Sequence, residues 1–443
     1  TKIGVDAQDT INISDGMGAV VFIMWFGFVI QGSIMMGATA IVSRMTGARD
    51  YPQAQHGLHQ AAMLGLLAGT ISCGLLFTCS DFMVTHVLTM NETARAYALQ
   101  YVYMAAFAAP FSGVVFAINA ALRGSGDTRL PFWIMMSVGI LNVIFSVIFV
   151  FADAPLGGWR IGGIAAGTVC GYGISMCILL FIMLRRRKKI FTGRKNESLE
   201  ELVRERGEHY APPLYLSFSH LRPDMGMQKR ILKIGLPQAV EVFGMWGIQM
   251  FCLSIISELP VKGVLGVHNI AVRIESLSFL PGFAIGMAAS TLVGQYLGAR
   301  NALMARITIW KCMRYAVIFM TGLGVLFSAF PALFMEIFSN GSTTLIDTGI
   351  PVLRTMLVVE PFFAACIVMK MSLRGAGDTR RVMLISYGIM GFFRVVCTWV
   401  WFRLAPETMT LWGIWLVFAF EMAVQSAILY KIVKGRSWTK LQV

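Results

Sequence analysis

The chain has 443 residues, 56% of them hydrophobic and 14% charged, with a net charge of +14 and a mean hydropathy of +0.68. Soluble domains carry about 25% charged residues, so a multi-span membrane protein is expected and a soluble enzyme is not. The eight cysteines are scattered through apolar runs with neither metal-ligand spacing nor a disulfide framework, and they read as small apolar packing residues.

A helix needs about 20 apolar residues to cross a bilayer, and irregular backbone is not tolerated against lipid. Eleven such spans follow one another: 16–44, 53–78, 93–121, 130–152, 161–184, 231–257, 264–296, 303–330, 344–373, 381–404 and 411–434. Several are long enough to require tilt or extension past the hydrocarbon. No secretory signal pattern precedes them.

Basic residues follow alternate spans. Arg44 and Arg49 follow the first, Arg123 and Arg129 the third, and Arg185, Arg186, Arg187, Lys188 and Lys189 the fifth. Arg300 and Arg306, then Arg374, Arg380 and Arg381, then Lys431, Lys434, Arg436 and Lys440 continue the alternation. The intervening stretches 79–92 and 331–343 carry no Lys or Arg. The basic loops therefore face the cytoplasm, with the N-terminus outside and the C-terminus inside, and the net charge calls for no nucleic acid. Residues 185–230 are basic, then mixed in charge (ESLEELVRERGEH), then proline-containing. They read as a cytoplasmic linker, partly disordered, with room for a short helix at 197–207. A plain tether is the first reading and a regulatory role the second.

The sequence LRGSGDTR at 122–129 returns as LRGAGDTR at 373–380, an offset of 251 (373 minus 122) with seven of eight residues matching. At that offset IVSRMTGARD (41–50) lies over LVGQYLGARN (292–301), Pro110-Phe111 over Pro361-Phe362, and Gly162 over Gly413. A block of helices duplicated in one orientation is a transporter plan. The expected fold is all-α and polytopic, with an N-terminal lobe at 1–184, the linker at 185–230 and a C-terminal lobe at 231–443. The counterpart of span 231–257 falls at positions −20 to 6, so twelve helices are expected in a complete chain and eleven are present; the other reading is a true eleven-helix protein.

In the repeated loops, Gly124 and Gly126, like Gly375 and Gly377, allow a helix to end sharply. Asp127 or Thr128, and Asp378 or Thr379, can cap the next helix. Arg123, Arg129, Arg374 and Arg380 are expected at the cytoplasmic surface, within reach of lipid phosphates. In the GAR loops Gly47 and Gly298 end one helix, and Asp50 or Asn301 caps the next, with Pro52 in its first turn. These are turns in the first reading, and elements of gating or lobe coupling in the second.

Ionisable residues in mid-membrane are functional candidates. The first five spans offer only Gln31, Asn119 and Asn142, with His56 and His59 nearer the cytoplasmic end. The later spans hold Glu241, Arg273, Glu275, Glu360, Arg394 and Glu421. Ten to fourteen residues of helix cover about 15–21 Å, so Glu241, Glu360, Arg394 and Glu421 fall near the bilayer centre. Carboxylates there can bind Na+ or exchange H+. Glu241 and Glu360 are the first candidates for cation coupling, tuned by Arg394, with Glu275 and Glu421 behind them. The alternative is a structural ion pair, Glu360 with Arg394, or less readily Glu275 with Arg273, whose spacing sends them to different helix faces. Pro110, Pro281 and Pro361 interrupt long helices. The 29 Met and 31 Phe serve mostly packing and lipid contact, and some suit a soft cavity for a bulky organic cation.

The paired LRG-x-GDTR loops, LVGQYLGA at 292–299, Gly235-Leu236-Pro237, Asn142, and Arg394 on its repeat-equivalent helix resemble the multidrug and toxic compound extrusion (MATE) transporters. The resemblance covers nearly the whole chain except 185–230. It implies two six-helix lobes facing each other as a V, in the inner membrane. It also implies a small, cationic organic substrate extruded against inward Na+ or H+. No other cofactor and no metal beyond Na+ follow from it, and a monomer is expected. In some members acidic residues on helices seven and ten form the cation site, and Glu241 and Glu360 lie on the matching helices; in others the key acid lies on helix one. A lipid-linked oligosaccharide flippase of the related superfamily is the competing reading. Its anionic cargo asks for several cavity Lys or Arg, whereas the mid-membrane set here is mainly acidic. A membrane enzyme or receptor fits least, since no nucleophile–base, metal-ligand or phosphate-loop pattern is present.

Overall fold

The computed structural model describes residues 7–87, 92–152, 157–190, 212–217, 222–261, 263–339 and 342–441. Among the described residues there is no strand. The helices are α1 (Ala7–Gly47), α2 (Tyr51–Phe82, continued by a π turn, Met83–Val87), α3 (Glu92–Ala106), α4 (Ala108–Gly124), α5 (Arg129–Phe151) and α6 (Arg160–Ile190). Then come α7 (Met225–Ser257), α8 (Val264–Gly298), α9 (Ala302–Ala329), the short α10 (Pro331–Ser339) and α11 (Thr343–Gly375). The last are α12 (Thr379–Met390, running through a π-helical stretch Gly391–Cys397 into α13, Thr398–Leu404) and α14 (Leu411–Lys434).

Ten of these helical stretches are long and apolar enough to cross a bilayer, and eleven if α3 and α4, bent by 48°, form one span. The bend lies just before Pro110, whose ring nitrogen has no hydrogen to offer the carbonyl of Ala106. Pro281 and Pro361 behave differently: both lie inside continuous helices. The interruptions expected at Pro281 and Pro361 are therefore absent; α11 runs on through Pro361 while packed on several sides by α8, α9 and α14. The possible helix at 197–207 lies outside the described residues.

The chain forms two compact units, Thr1–Ala239 and Val240–Val443. In the first, α5 buries only 17% of its apolar window while α1 buries 71%, so α1 is central and α5 peripheral. Glycines set the closest approaches: a Cβ on Gly65 would lie 2.4 Å from the Gly113 carbonyl oxygen, and one on Gly235 2.1 Å from that of Ser33. In the second unit α11 is central, with 61% of its window buried. Outward faces are apolar, with Leu66, Leu67 and Ile71 on α2, Trp133, Ile140 and Val143 on α5, and Phe392 and Trp399 in the second unit, as a lipid-facing surface requires.

The repeated loops are tight turns. Gly126 (φ 94°) and Gly377 (φ 90°) take the left-handed conformation, and the Asp127 and Asp378 amides close onto Leu122 and Leu373 at 3.0 and 2.9 Å. Asp127, not Thr128, caps α5, accepting from the Leu130 amide at 3.2 Å. In the GAR turns the helices end at Gly47 and Gly298, yet the left-handed residues are Arg49 (φ 60°) and Arg300 (φ 55°). Asp50 and Asn301 cap the following helices, accepting from Gln53 and Met304.

The stretch read as a tether is partly packed. Helix α6 runs on to Ile190, and α7 already begins at Met225. Between them Leu214 and Leu216 enter the core formed by Leu58, Leu179 and Met183.

Candidate functional site

The second unit gathers its buried charges into three groups. In the first, Glu241 of α7 is fully buried. Its Oε2 lies 2.9 Å from Nη2 of Arg374, its Oε1 lies 4.0 Å from Nζ of Lys370, and Ser386 donates to Oε1 at 2.6 Å. Lys370 and Arg374 stand one turn apart on α11 and so share a face. Arg374 was expected at the surface with Arg123, Arg129 and Arg380. Arg129 and Arg380 are exposed, Arg123 is half-buried, and Arg374 is buried. The cause is packing: a Cβ on Gly375 would lie 2.2 Å from the Ser290 carbonyl oxygen, so the end of α11 is drawn into the bundle.

In the second group, Nε of Arg394 lies 2.8 Å from Oε2 of the fully buried Glu421, and the guanidinium sits 4.1 Å from the Phe418 ring centre. Arg394 is carried by the π-helical stretch, a local widening often found at functional positions. Its Nη1 reaches Gln249 at 3.4 Å, Gln249 faces His268 at 3.4 Å, and Trp415 donates to His268 Nδ1 at 3.3 Å. Arg394 thus belongs with Glu421. The Glu360–Arg394 ion pair considered from the sequence is not formed, because Arg394 is already held from α14.

The third group is Glu360 of α11 with Ser278 and Glu275 of α8. Glu360 is fully buried, and the Ser278 hydroxyl donates to its Oε1. Its Oε2 is buried without a hydrogen-bond partner. Glu275 lies on the same face of α8, one turn from Ser278, within electrostatic reach of Glu360. Arg273 is exposed on another face of that helix. Across from Glu360 stands Gly324 of α9, where a Cβ would lie 2.9 Å from the glutamate Cγ.

Among the described residues the first unit carries no such set. At the 251 offset Glu275, Glu360, Arg394 and Glu421 correspond to Met24, Ala109, Val143 and Cys170. Gln31 donates to the Ala109 carbonyl at 3.1 Å and accepts from Ser112 at 2.9 Å, beside the α3–α4 bend. Asn142 donates to Thr168 at 2.8 Å. Asn119 is fully buried with both polar atoms unpartnered.

Sequence reading missed Lys370, Ser278, Ser386, Gln249, His268 and Trp415. Only Lys370 left a signal: a lysine four residues before Arg374 in an apolar span puts two cations on one helix face. In the loop between α11 and α12, burial pushes the Asp378 carboxyl above its ordinary range, opposed by Arg381 at 3.3 Å. Among the described residues no three His, Cys, Asp or Glu side chains converge as metal ligands.

Buried carboxylates on membrane-crossing helices mark the ion and substrate pathways of membrane transporters. The MatE family model matches residues 15–148 and 237–400, and the chain belongs to that family, the MATE transporters. It is 24% identical over 432 residues to a probable multidrug resistance protein NorM of Thermotoga maritima, covering 97% of this chain and 86% of that relative. Two solved structures share the fold. One is a MOP superfamily transporter from Pyrococcus furiosus, described by its reversed pocket polarity and a different function (TM-score 0.82, 17% identity, 98% of this chain and 92% of that one). The other is a multidrug resistance MATE transporter of the MOP superfamily in an outward-facing conformation (TM-score 0.81, 18% identity, 98% and 92%).

Proposed function

We propose that this protein is a multidrug efflux transporter of the inner membrane that exchanges small organic cations for Na+ or H+, as a monomer with its C-terminus in the cytoplasm. One observation carries the coupling assignment. Among the described residues of the second unit three glutamates are fully buried; Glu241 and Glu421 face basic side chains, whereas Glu360 has the Ser278 hydroxyl and no basic neighbour. A buried carboxylate that no basic side chain neutralises must either take a proton or share a cation. Glu360, Glu275 and Ser278 together offer the hard oxygen ligands that Na+ accepts, and each carboxylate can equally exchange H+. Glu241, a first candidate from the sequence, fits a structural role better, because Arg374 already neutralises it. The NorM relative's name supports drug efflux.

The flippase reading draws less support: Arg374 faces Glu241 and Arg394 faces Glu421, which leaves Lys370, 4.0 Å from Glu241, as the one cation of the three in excess, where an anionic headgroup asks for several. Efflux of ethidium from a pump-deficient strain, with Na+ and pH gradients imposed separately, tests the proposal. Glu360→Gln should abolish the response to the coupling gradient. A response undiminished in both Glu360→Gln and Glu275→Gln would sink the assignment.

A further inference from the structure

The segment 212–217, which the transport reading does not use, is fastened to the start of α2 by consecutive polar side chains. Gln55 pairs with the Tyr215 peptide on both sides: its Nε2 donates to the carbonyl, and its Oε1 accepts from the amide at 3.1 Å. One turn on, His59 Nε2 accepts from the Ser217 amide at 3.0 Å. Gln60 donates to the Arg222 carbonyl at 2.7 Å and accepts from the Asp224 amide at 3.0 Å. His56 meets the Asp224 carboxylate at 2.9 Å. Leu216 also donates from its amide to the Met183 carbonyl of α6 at 3.3 Å, and Leu214, Tyr215, Leu216 and Ser217 are all buried.

The protonation state of His59 follows from this geometry. A backbone amide can only donate, so Nε2 must be bare. The ring proton then sits on Nδ1, which donates to the Gln55 carbonyl at 2.8 Å. Both nitrogens of a neutral imidazole are thereby used. A second proton has one place to go, Nε2, where it would confront the Ser217 N–H. The elements packed at this corner carry Arg44 (α1), Arg123 (α4), Arg186 and Arg187 (α6), Tyr215, and His56 on α2 itself. Of the nearby carboxylates, Asp50 caps α2, Asp127 is paired with Arg186 at 2.7 Å, and Asp224 is paired with His56.

We propose that residues 212–217 form a proton-sensitive latch that holds the segment between α6 and α7 on the first unit, with His59 as the titrating group. At neutral pH the latch is closed. Acidification that protonates His59 at Nε2 removes the acceptor of the Ser217 amide and loosens the strap. The turn at 222–224 is held separately, by His56 on the Asp224 carboxylate and by Gln60 on the Arg222 carbonyl and the Asp224 amide, so it stays fastened while 212–217 opens.

Hydrogen–deuterium exchange of the full chain in detergent tests this, with protection corrected for intrinsic exchange. From about pH 7.5 to about pH 5.5, peptides covering 212–217 should lose about tenfold in protection, the worth of one hydrogen bond, while α4 and α11 peptides hold. His59→Gln keeps an acceptor for Ser217 but cannot titrate, and should make the protection independent of pH. Unchanged wild-type protection across that range overturns the proposal, and this arm decides alone if H59Q does not fold. The same loss in H59Q, or its disappearance in H56Q, also overturns it.

Discussion

Nη2 of Arg374 lies 2.9 Å from Oε2 of Glu241, with the two side chains 8% and 0% exposed. This arginine belongs to the repeated loop motif, so the motif supplies a charge to the bundle interior as well as a turn. Losing one partner of a buried pair strands the other, at about 3–5 kcal/mol. Glu241→Gln and Arg374→Gln should each destabilise by that order, and the double substitution by clearly less than their sum. Unfolding midpoints in detergent across the double-mutant cycle check it; additive losses would mean the pair is not coupled.

Glu360 is held in place by a neighbour without a side chain. At Gly324 a Cβ would lie 2.9 Å from Glu360 Cγ and 3.1 Å from the Met356 carbonyl oxygen. Gly324→Ala should shift the carboxylate and weaken the cation dependence of efflux, with a stability cost of about 1–3 kcal/mol from overpacking. Gly322, where a Cβ meets nothing within 4 Å, is the control: Gly322→Ala should leave transport unchanged. Identical transport by the two variants would remove Gly324 from the site.

The spans were legible because a run of about 20 apolar residues has few other fates, and the 251-residue offset exposed the duplication directly. The bend between α3 and α4 was legible as a proline but not as a break, since α11 carries Pro361 without breaking. Charge partners were not legible at all. Arg394 meets Glu421 because α14 happens to face the π-helical stretch, which is a matter of helix neighbours and not of spacing. The latch was hidden for another reason. APPLYLS has the composition of a linker, and only the Gln55, His56, His59 and Gln60 face of α2 reveals that its backbone is bound.

Arg49 and Arg300 hold left-handed backbones at φ 60° and 55°, at equivalent points of the repeat. A side chain there costs about 1–2 kcal/mol that glycine avoids. Part of that gain is returned, because glycine also frees the unfolded chain. Arg49→Gly and Arg300→Gly should therefore be more stable than the matching alanine variants by up to about 1 kcal/mol each. Comparing Gly with Ala removes the arginine side chain from both arms, so the midpoint difference reports the backbone alone. Alanine variants at least as stable as glycine would show that neither turn is strained.

Asp224 gives a pH dependence whose sign can be worked out. It lies just before α7, outside the spans. The His56 ring and the Gly226 amide, at 2.9 and 2.8 Å, hold its carboxyl below the ordinary range. The folded protein thus binds this proton more weakly than the unfolded chain does. Its contribution is present above the unfolded value of about 3.9 and is lost as pH falls below it. Wild type should exceed Asp224→Asn in unfolding midpoint at neutral pH, with the gap closing as pH drops through about 4 and below. The carboxylate is half-exposed, so the gap should also shrink in high salt. A gap that stays constant as pH drops through about 4 and below would mean that Asp224 acts by hydrogen-bond geometry alone and not through its charge.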